Sequence, residues 1–181
     1  MGAAVSPAEQ IAKTRVDVGT PEYSEIVEWL YREARLLDNG EFAAWFELMT
    51  TDIVYGMPTR TAVMPNEGRG FHADCGFFAE SHSSLELRVK RLGTSQAWAE
   101  QPRSRTRHFV SNVLIERTAD DAYTVTSAFM VTRLRSHRHY DFFTGERVDM
   151  LRREGANLKL ARRTILLDQT VLDSHNLSLF F

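Results

Sequence analysis

Hydrophobic and polar residues alternate with a period of two through most of the second half of the chain, a pattern typical of strands. Four long runs follow it, at residues 105–116, 122–135, 139–153 and 158–172. Turn-like stretches at 118–121 and 155–157 indicate hairpin connections. At about 3.3 Å per residue, strands this long predict a strongly twisted and curved antiparallel sheet.

In the first half, apolar residues recur at intervals of three and four, which predicts helices. The strongest helical stretch begins at Thr20-Pro21 and ends at Asn39-Gly40, where proline and glycine occupy their preferred positions. Its predicted apolar stripe comprises Tyr23, Ile26, Val27, Leu30, Tyr31, Ala34 and Leu37.

Shorter elements complete the first half. Capping boxes predict a helix from Ser6 to about Lys13 and another from Ser83 to Leu92. The spacing also predicts a helix over 41–49, a strand over 52–58 that ends at Pro58, a loop over 60–70 and a short strand over 71–79. Helices that precede a long meander indicate an α+β fold with helices on one face of the sheet. We expect residues 1–181 to form a single domain.

Composition excludes several classes of partner. The chain has 181 residues, of which 43% are hydrophobic and 25% charged, and its net charge is −2. Without a dominant charge, nucleic acid and anionic membranes are not expected as partners. No apolar stretch approaches the roughly 20 residues of a membrane span, and residues 1–20 do not resemble a signal peptide. Cys75 is the single cysteine, which suits a reducing cytoplasm and excludes an iron–sulfur cluster held by this chain alone.

The best local metal signal is His137-Arg138-His139 with Asp141. On a strand, positions 137, 139 and 141 face the same side, and two histidines with a carboxylate are the ligands of a non-haem iron site. The neighbouring arginines oppose a cation, so a solvated or partner-facing basic hairpin is the favoured interpretation.

Two further groups of residues suggest catalysis, and each has a simpler structural explanation. His72 with Asp74 and Cys75 resembles a nucleophile and its base, although a plain loop explains them as well. The three residues Asp52, Tyr55 and His108 form a possible acid–base pocket inside a curved sheet. The alternative is a turn carboxylate, a half-buried tyrosine and a satisfied strand histidine.

Arginine is unusually frequent on the predicted strands. The prominent charged positions there are Arg103, Arg105, Arg107, Arg147, Asp149, Arg152, Arg153, Arg162, Arg163 and Asp168. Arg147 shares a strand face with Asp149, and Arg162 has the parity of Asp168, so cross-strand ion pairs can hold the sheet or dock a partner. Solvated surface charge is the alternative. The chain ends on Leu179-Phe180-Phe181, which predicts an end docked in its own sheet or against another subunit.

Several stretches, in order along nearly the whole chain from about Tyr23, carry a resemblance to a known family. They are 33–38 (EARLLD), 55–60 (YGMPTR), 91–100 (RLGTSQAWAE), 104–113 (SRTRHFVSNV), 145–153 (GERVDMLRR) and 161–181. Together they resemble the β (small) subunit of aromatic-ring-hydroxylating dioxygenases, the oxygenase components of Rieske non-haem iron systems. Gln96-Ala97 is a minor departure, since a less polar pair is expected there.

The resemblance implies a cystatin-like or NTF2-like α+β cone, in which a long curved antiparallel sheet packs on N-terminal helices. It implies an α3β3 hexamer in which the α (large) subunit carries the Rieske [2Fe–2S] cluster, the mononuclear Fe(II) and the substrate site. The complex would perform NADH- and O₂-dependent cis-dihydroxylation of an aromatic compound. This chain is then a structural subunit with no catalytic residue, cofactor or metal of its own. The rival hypothesis is a stand-alone isomerase or dehydratase of the same fold.

Overall fold

The computed structural model describes residues 14–64, 66, 68–92, 103–119, 121–135, 139–172, 174 and 177–181, and it leaves the side chains of 73–75 and 139 undescribed. The elements along the chain are β1 (Thr14–Arg15), α1 (Pro21–Asn39), α2 (Phe42–Phe46), β2 (Met49–Arg60), β3 (Phe71–Ser81), α3 (His82–Leu92), β4 (Arg105–Ala119), β5 (Ala122–Arg135), β6 (His139–Glu154) and β7 (Asn157–Leu167).

One seven-stranded sheet organises the described chain, in the order β1-β4-β5-β6-β7-β2-β3. The long strands β4 to β7 form the predicted antiparallel meander. The α+β class is confirmed, with one refinement. Because β2 pairs in parallel with β7, the sheet is mixed rather than wholly antiparallel.

The core lies between the helices and one face of this sheet. On β5 the side chains alternate strictly, and those of Tyr123, Val125, Ser127, Phe129 and Val131 are buried. This alternation is the direct product of the period-two pattern, because successive side chains of a strand point to opposite faces. We call the space between the buried sheet face and α1–α3 the cone interior.

Helix α1 has the predicted ends. The Thr20 side chain accepts a hydrogen bond from the Tyr23 amide, and Gly40 closes the helix in a left-handed conformation at φ 69°. A Cβ at Gly40 would overlap the guanidinium of Arg103, which donates to the last carbonyls of the helix. This glycine is therefore required by its backbone angle, and a side chain there would displace the Arg103 guanidinium from the end of the helix.

The buried face of α1 differs from the predicted stripe. It consists of Ile26, Trp29, Leu30, Glu33 and Leu37. Tyr31 is 56% exposed, so its place in the stripe is wrong. The same helical spacing that puts Ile26, Leu30 and Leu37 on one face also includes position 33. Because the predicted stripe counts only apolar residues, it leaves out the acidic Glu33 on that face.

Several predicted boundaries are wrong. Helix α2 ends at Phe46, before the predicted end at residue 49, because Met49 already pairs with Leu160 as a strand residue. Strand β2 continues through Pro58 to Arg60, with register shifts on both sides of the proline, where its missing N–H is tolerated. Strand β7 ends at residue 167, not at residue 172. The helix predicted before residue 14 lies outside the described residues.

Candidate functional site in the cone interior

A cluster of four charged side chains lies in the cone interior. It comprises Glu33 of α1, Arg147 and Asp149 of β6, and Arg163 of β7, each at most 2% exposed. Arg163 sits at its centre, with nitrogen–oxygen distances of 2.7 and 2.8 Å to Asp149 and of 2.6 and 2.9 Å to Glu33. Among these four side chains the two guanidinium charges balance the two carboxylate charges, which offsets part of the free-energy cost of burying them.

Opposing effects act on the titration of this cluster. Burial alone would raise the pKa of Glu33, but Arg163 and Arg147 hold it below its ordinary value. Burial likewise opposes the charged form of Arg163, yet Asp149 and Glu33 keep its pKa well above the usual range. Both groups are therefore charged at neutral pH, as their mutual hydrogen bonds require.

Arg147 is far less well satisfied than Arg163. Its hydrogen bond to Glu33 is long, at 3.5 Å, and its Nε and Nη2 are buried with no hydrogen-bond partner among the described residues. Burial first, and then the charge of Arg163, lower the pKa of Arg147. The hydroxyl of Ser127, opposite Arg147 on β5, is also buried without a described partner. The cluster thus has one tightly bonded and one loosely bonded arginine.

The last residues of the chain fill the rest of the cone interior. Leu179, Phe180 and Phe181 are buried, the last two at 1% and 0% exposure. The Phe181 carbonyl accepts hydrogen bonds from Arg163 at 2.6 Å and from Tyr55 at 3.0 Å. Of the two predicted locations for this end, the structure has the first: the end is docked inside its own fold.

The proposed acid–base pocket does not form. Asp52 is exposed and bonds to Arg152 at 2.6 and 3.0 Å, and this hydrogen bonding holds the pKa of the Asp52 carboxyl well below its usual range. Tyr55 is fully buried, and burial raises the pKa of its hydroxyl. His108 instead contacts Asp38 at 2.6 Å through Nδ1 and the carbonyl of residue 180 at 3.0 Å through Nε2.

The spaces in the structure agree with this arrangement. The pocket bordered by His108, Phe42 and Phe180 measures about 20 Å³, close to the minimum for one water molecule. A groove of about 500 Å³ lies outside the cone, between α1 and the β6–β7 hairpin. The interior pocket is thus too small for a substrate, and the three residues of the proposed acid–base pocket do not converge on it.

The other candidate sites are only partly described. His137 lies outside the described residues, as do the side chains of His139, Asp74 and Cys75. Asp141 pairs with Arg133 at 2.6 Å, as a structural ion pair. His72 contacts the Thr61 hydroxyl at 2.8 Å. Among the side chains that the structure describes, no three His, Cys, Asp or Glu residues cluster as metal ligands.

The charged residues of the strands divide into two groups, which the parity argument did not foresee. Arg147, Asp149 and Arg163 are interior, so the interpretation of solvated charge is wrong for them. Three others belong to more exposed pairs, namely Arg152 with Asp52, Arg153 with Glu25 and Asp168 with Arg60. Asp168 therefore pairs with β2 rather than with Arg162.

Two residues that matter to the interior were not among the candidate site residues predicted from the sequence. Glu33 is one of them. The other is Arg88 of α3, which donates to the carbonyls of residues 177 and 179 at 2.9 and 2.7 Å. No local pattern marks Arg88, because its partners lie about 90 positions further along the chain. Within the described residues no helix is long and apolar enough to cross a membrane.

Comparisons with known proteins connect this fold to one family. The family described as "Ring hydroxylating beta subunit" matches residues 32–174. The chain is 40% identical to the biphenyl 2,3-dioxygenase subunit beta of Rhodococcus jostii (strain RHA1), with 87% of each chain covered. It is 37% identical to a benzene 1,2-dioxygenase subunit beta of Pseudomonas putida, with 98% of each covered.

Solved structures agree with the sequence matches. A naphthalene 1,2-dioxygenase with indole bound in its active site aligns at a TM-score of 0.78 and 26% identity, over 87% of this chain and 84% of that chain. An NTF2-like protein with a cystatin-like fold from Novosphingobium aromaticivorans aligns at 0.55 and 19% identity, over 82% and 83%, which bears on the fold alone. The predicted cystatin-like, NTF2-like architecture is confirmed, and the chain belongs to the ring-hydroxylating β-subunit family.

Proposed function

We propose that this chain is the structural β subunit of the terminal oxygenase of an aromatic-ring dioxygenase, and that it carries no catalytic residue. It assembles with an α subunit, in an α3β3 hexamer, as one domain of residues 1–181 in the cytoplasm. The α subunit supplies the Rieske [2Fe–2S] cluster and the mononuclear Fe(II). The complex uses NADH and O₂ to cis-dihydroxylate an aromatic compound.

One observation carries the non-catalytic role. The cone interior, the natural place for a substrate in such a fold, is occupied by Phe180, Phe181 and the buried charge cluster. The polar groups that would serve an acid–base reaction are engaged elsewhere: Tyr55 with Phe181, and His108 with Asp38. A group that is bonded to its own backbone and shielded from solvent is not available to a substrate.

The outer face of the sheet supports a role in assembly. Phe109 and Phe142 lie on this face at 49% and 47% exposure, and Tyr140 further along β6 is 63% exposed. Exposed aromatic side chains grouped on one surface are characteristic of sites that contact other proteins. Arg105 and Arg107 share the same face of β4, where arginine suits an interface.

Co-expression with the α subunit of the same organism tests the proposal. We expect the two chains to elute together on size exclusion, with aromatic-dependent NADH oxidation only when both chains and the electron carriers are present. Turnover of any substrate by this chain alone, or full activity of the α subunit without it, contradicts the proposal.

A pair of variants locates the contact. Replacing Phe109 and Phe142 with serine should lower the affinity for the α subunit at least tenfold, as judged by co-elution over a range of concentrations. The thermal midpoint of the free chain should not change. Leu87→Ser serves as the matched control, since Leu87 is 70% exposed on α3, away from the outer sheet face. Equal losses from both substitutions would assign assembly to another surface.

A further inference from the structure

The end of the chain is held in the way that proteins hold a separate peptide. Side chains from four elements receive its backbone: Arg88 of α3, His108 of β4, Tyr55 of β2 and Arg163 of β7. Between them they bind the carbonyls of residues 177, 179, 180 and 181. The Phe181 amide also donates to the Tyr55 hydroxyl at 2.8 Å. None of the described strand ladders includes residues 177–181.

Two aromatic subsites accompany this backbone recognition. The Phe180 ring centroid lies 4.2 Å from that of Trp45, and the Arg88 guanidinium lies over the Phe180 ring, 4.4 Å from its centroid. The Phe181 ring meets Phe129 at 5.7 Å and Phe143 at 5.4 Å. Such edge and tilted contacts between rings are directional, so the subsites select two consecutive aromatic residues.

The chain that leads to this segment leaves the sheet before returning. Strand β7 ends at Leu167, and Val171 beyond it is 80% exposed. Leu172 packs against the core and the Ser174 hydroxyl accepts a hydrogen bond from Arg133 at 2.7 Å, so Val171 is an exposed position just before the chain returns to the fold. Backbone carbonyls bound by side chains and specific pockets for neighbouring residues are the features of a docked peptide.

We propose that the cone interior is a binding site for an extended peptide that carries the sequence Leu-Phe-Phe, occupied by residues 177–181 of the same chain. The site holds this segment through its own contacts and not through covalent continuity. This inference is independent of the oxygenase role, because it concerns only the isolated chain.

The test uses the full chain with a protease recognition sequence inserted after Val171. The folded protein is cut at this site and passed over a size-exclusion column at about 10 µM, a concentration that retains only submicromolar complexes. Native mass spectrometry then follows exchange of the cut segment for an isotope-labelled synthetic peptide of residues 172–181. We expect the cut segment to stay bound and to exchange while the circular dichroism of the protein is unchanged.

Matched controls identify the contacts. A peptide with alanine in place of Phe180 and Phe181 should compete at least tenfold less well. This comparison requires no variant of the protein to fold. Arg88→Met should speed release about tenfold, by loss of charge-assisted hydrogen bonds. Lys90→Met on the same helix should not, because Lys90 pairs with Glu86 on the surface.

Three results would overturn the inference. The segment elutes apart from the cut protein, or it leaves only as the circular dichroism is lost, or the alanine peptide competes as well as the native one. The second result would make residues 177–181 an integral part of the core and not a ligand of it.

Discussion

Tyr55 and Phe181 exchange two hydrogen bonds across the cone interior. The tyrosine hydroxyl donates to the Phe181 carbonyl at 3.0 Å and accepts from the Phe181 amide at 2.8 Å. Both residues are fully buried, so neither bond competes with water. The Tyr55 hydroxyl, a candidate acid–base group in the sequence, is therefore a structural group that holds the Phe181 backbone in place.

Tyr55→Phe should lower the free energy of unfolding by about 1–3 kcal/mol, because it leaves the Phe181 amide buried without a partner. Urea unfolding measures the change. Tyr31→Phe, at an exposed tyrosine of α1, is the control and should stay within about 0.5 kcal/mol of the wild type. Equal free energies of unfolding for the two variants would show that the Tyr55 hydrogen bonds do not contribute to stability.

Phe181→Ala should cost about 3–5 kcal/mol, the usual range for removing a fully buried phenylalanine ring. The ring contacts Phe129 and Phe143, and both contacts are lost with it. Thermal and urea unfolding give the value. Val171→Ala, at an exposed position before the segment, should change stability little. If Phe181→Ala lowered the free energy of unfolding only slightly, the burial of the Phe181 ring in the cone interior would be contradicted.

The two interior arginines should differ sharply when each is replaced by methionine. Arg163→Met breaks five hydrogen bonds and leaves Glu33 and Asp149 short of compensation, for a cost of about 3–5 kcal/mol. Arg147→Met removes one long bond and two unpartnered nitrogens but also leaves the two carboxylates with a single cation, so we expect a smaller cost of about 1–3 kcal/mol. Chemical unfolding of both variants gives the two free energies of unfolding. A larger loss for Arg147→Met than for Arg163→Met would contradict the described hydrogen-bond network.

Acid should weaken the fold through Glu33. Its pKa is lowered in the folded protein, so its stabilising contribution is complete above the unfolded carboxyl value of about 4.3 and is lost as pH falls through the folded value. Urea midpoints between about pH 6 and pH 3 should therefore fall less steeply for Glu33→Gln than for the wild type. Glu86→Gln, at a surface pair with Lys90, should leave the slope nearly unchanged. If the urea midpoint of Glu33→Gln fell with pH as steeply as that of the wild type, a lowered pKa of Glu33 in the folded protein would be contradicted.

Local patterns were sufficient for most of the fold. The ends of α1 follow from Thr20, Pro21 and Gly40, and β5 has the predicted bounds, because capping and period-two alternation are local properties. The parallel pairing of β2 with β7 was not predictable in this way, since it joins segments about 110 positions apart. The register shift at Pro58 likewise depends on β3.

The interior site was much less accessible to sequence reasoning. The prediction that Arg147 and Asp149 share one strand face was correct. Alternation alone cannot tell which face is the inner one when both faces carry charged residues. The partner that decides the matter is Glu33, on a helix more than 100 positions away. The family resemblance supplied the function that the residues alone left open.

The most direct test of the structural role is the composition of the purified oxygenase. Co-expressed α subunit and this chain should form one complex of equal stoichiometry, with light scattering giving the mass of an α3β3 hexamer. After the chains are separated, all iron and acid-labile sulfide should be recovered with the α subunit. Stoichiometric iron in this chain, turnover by this chain alone, or its elution apart from the α subunit would contradict the account.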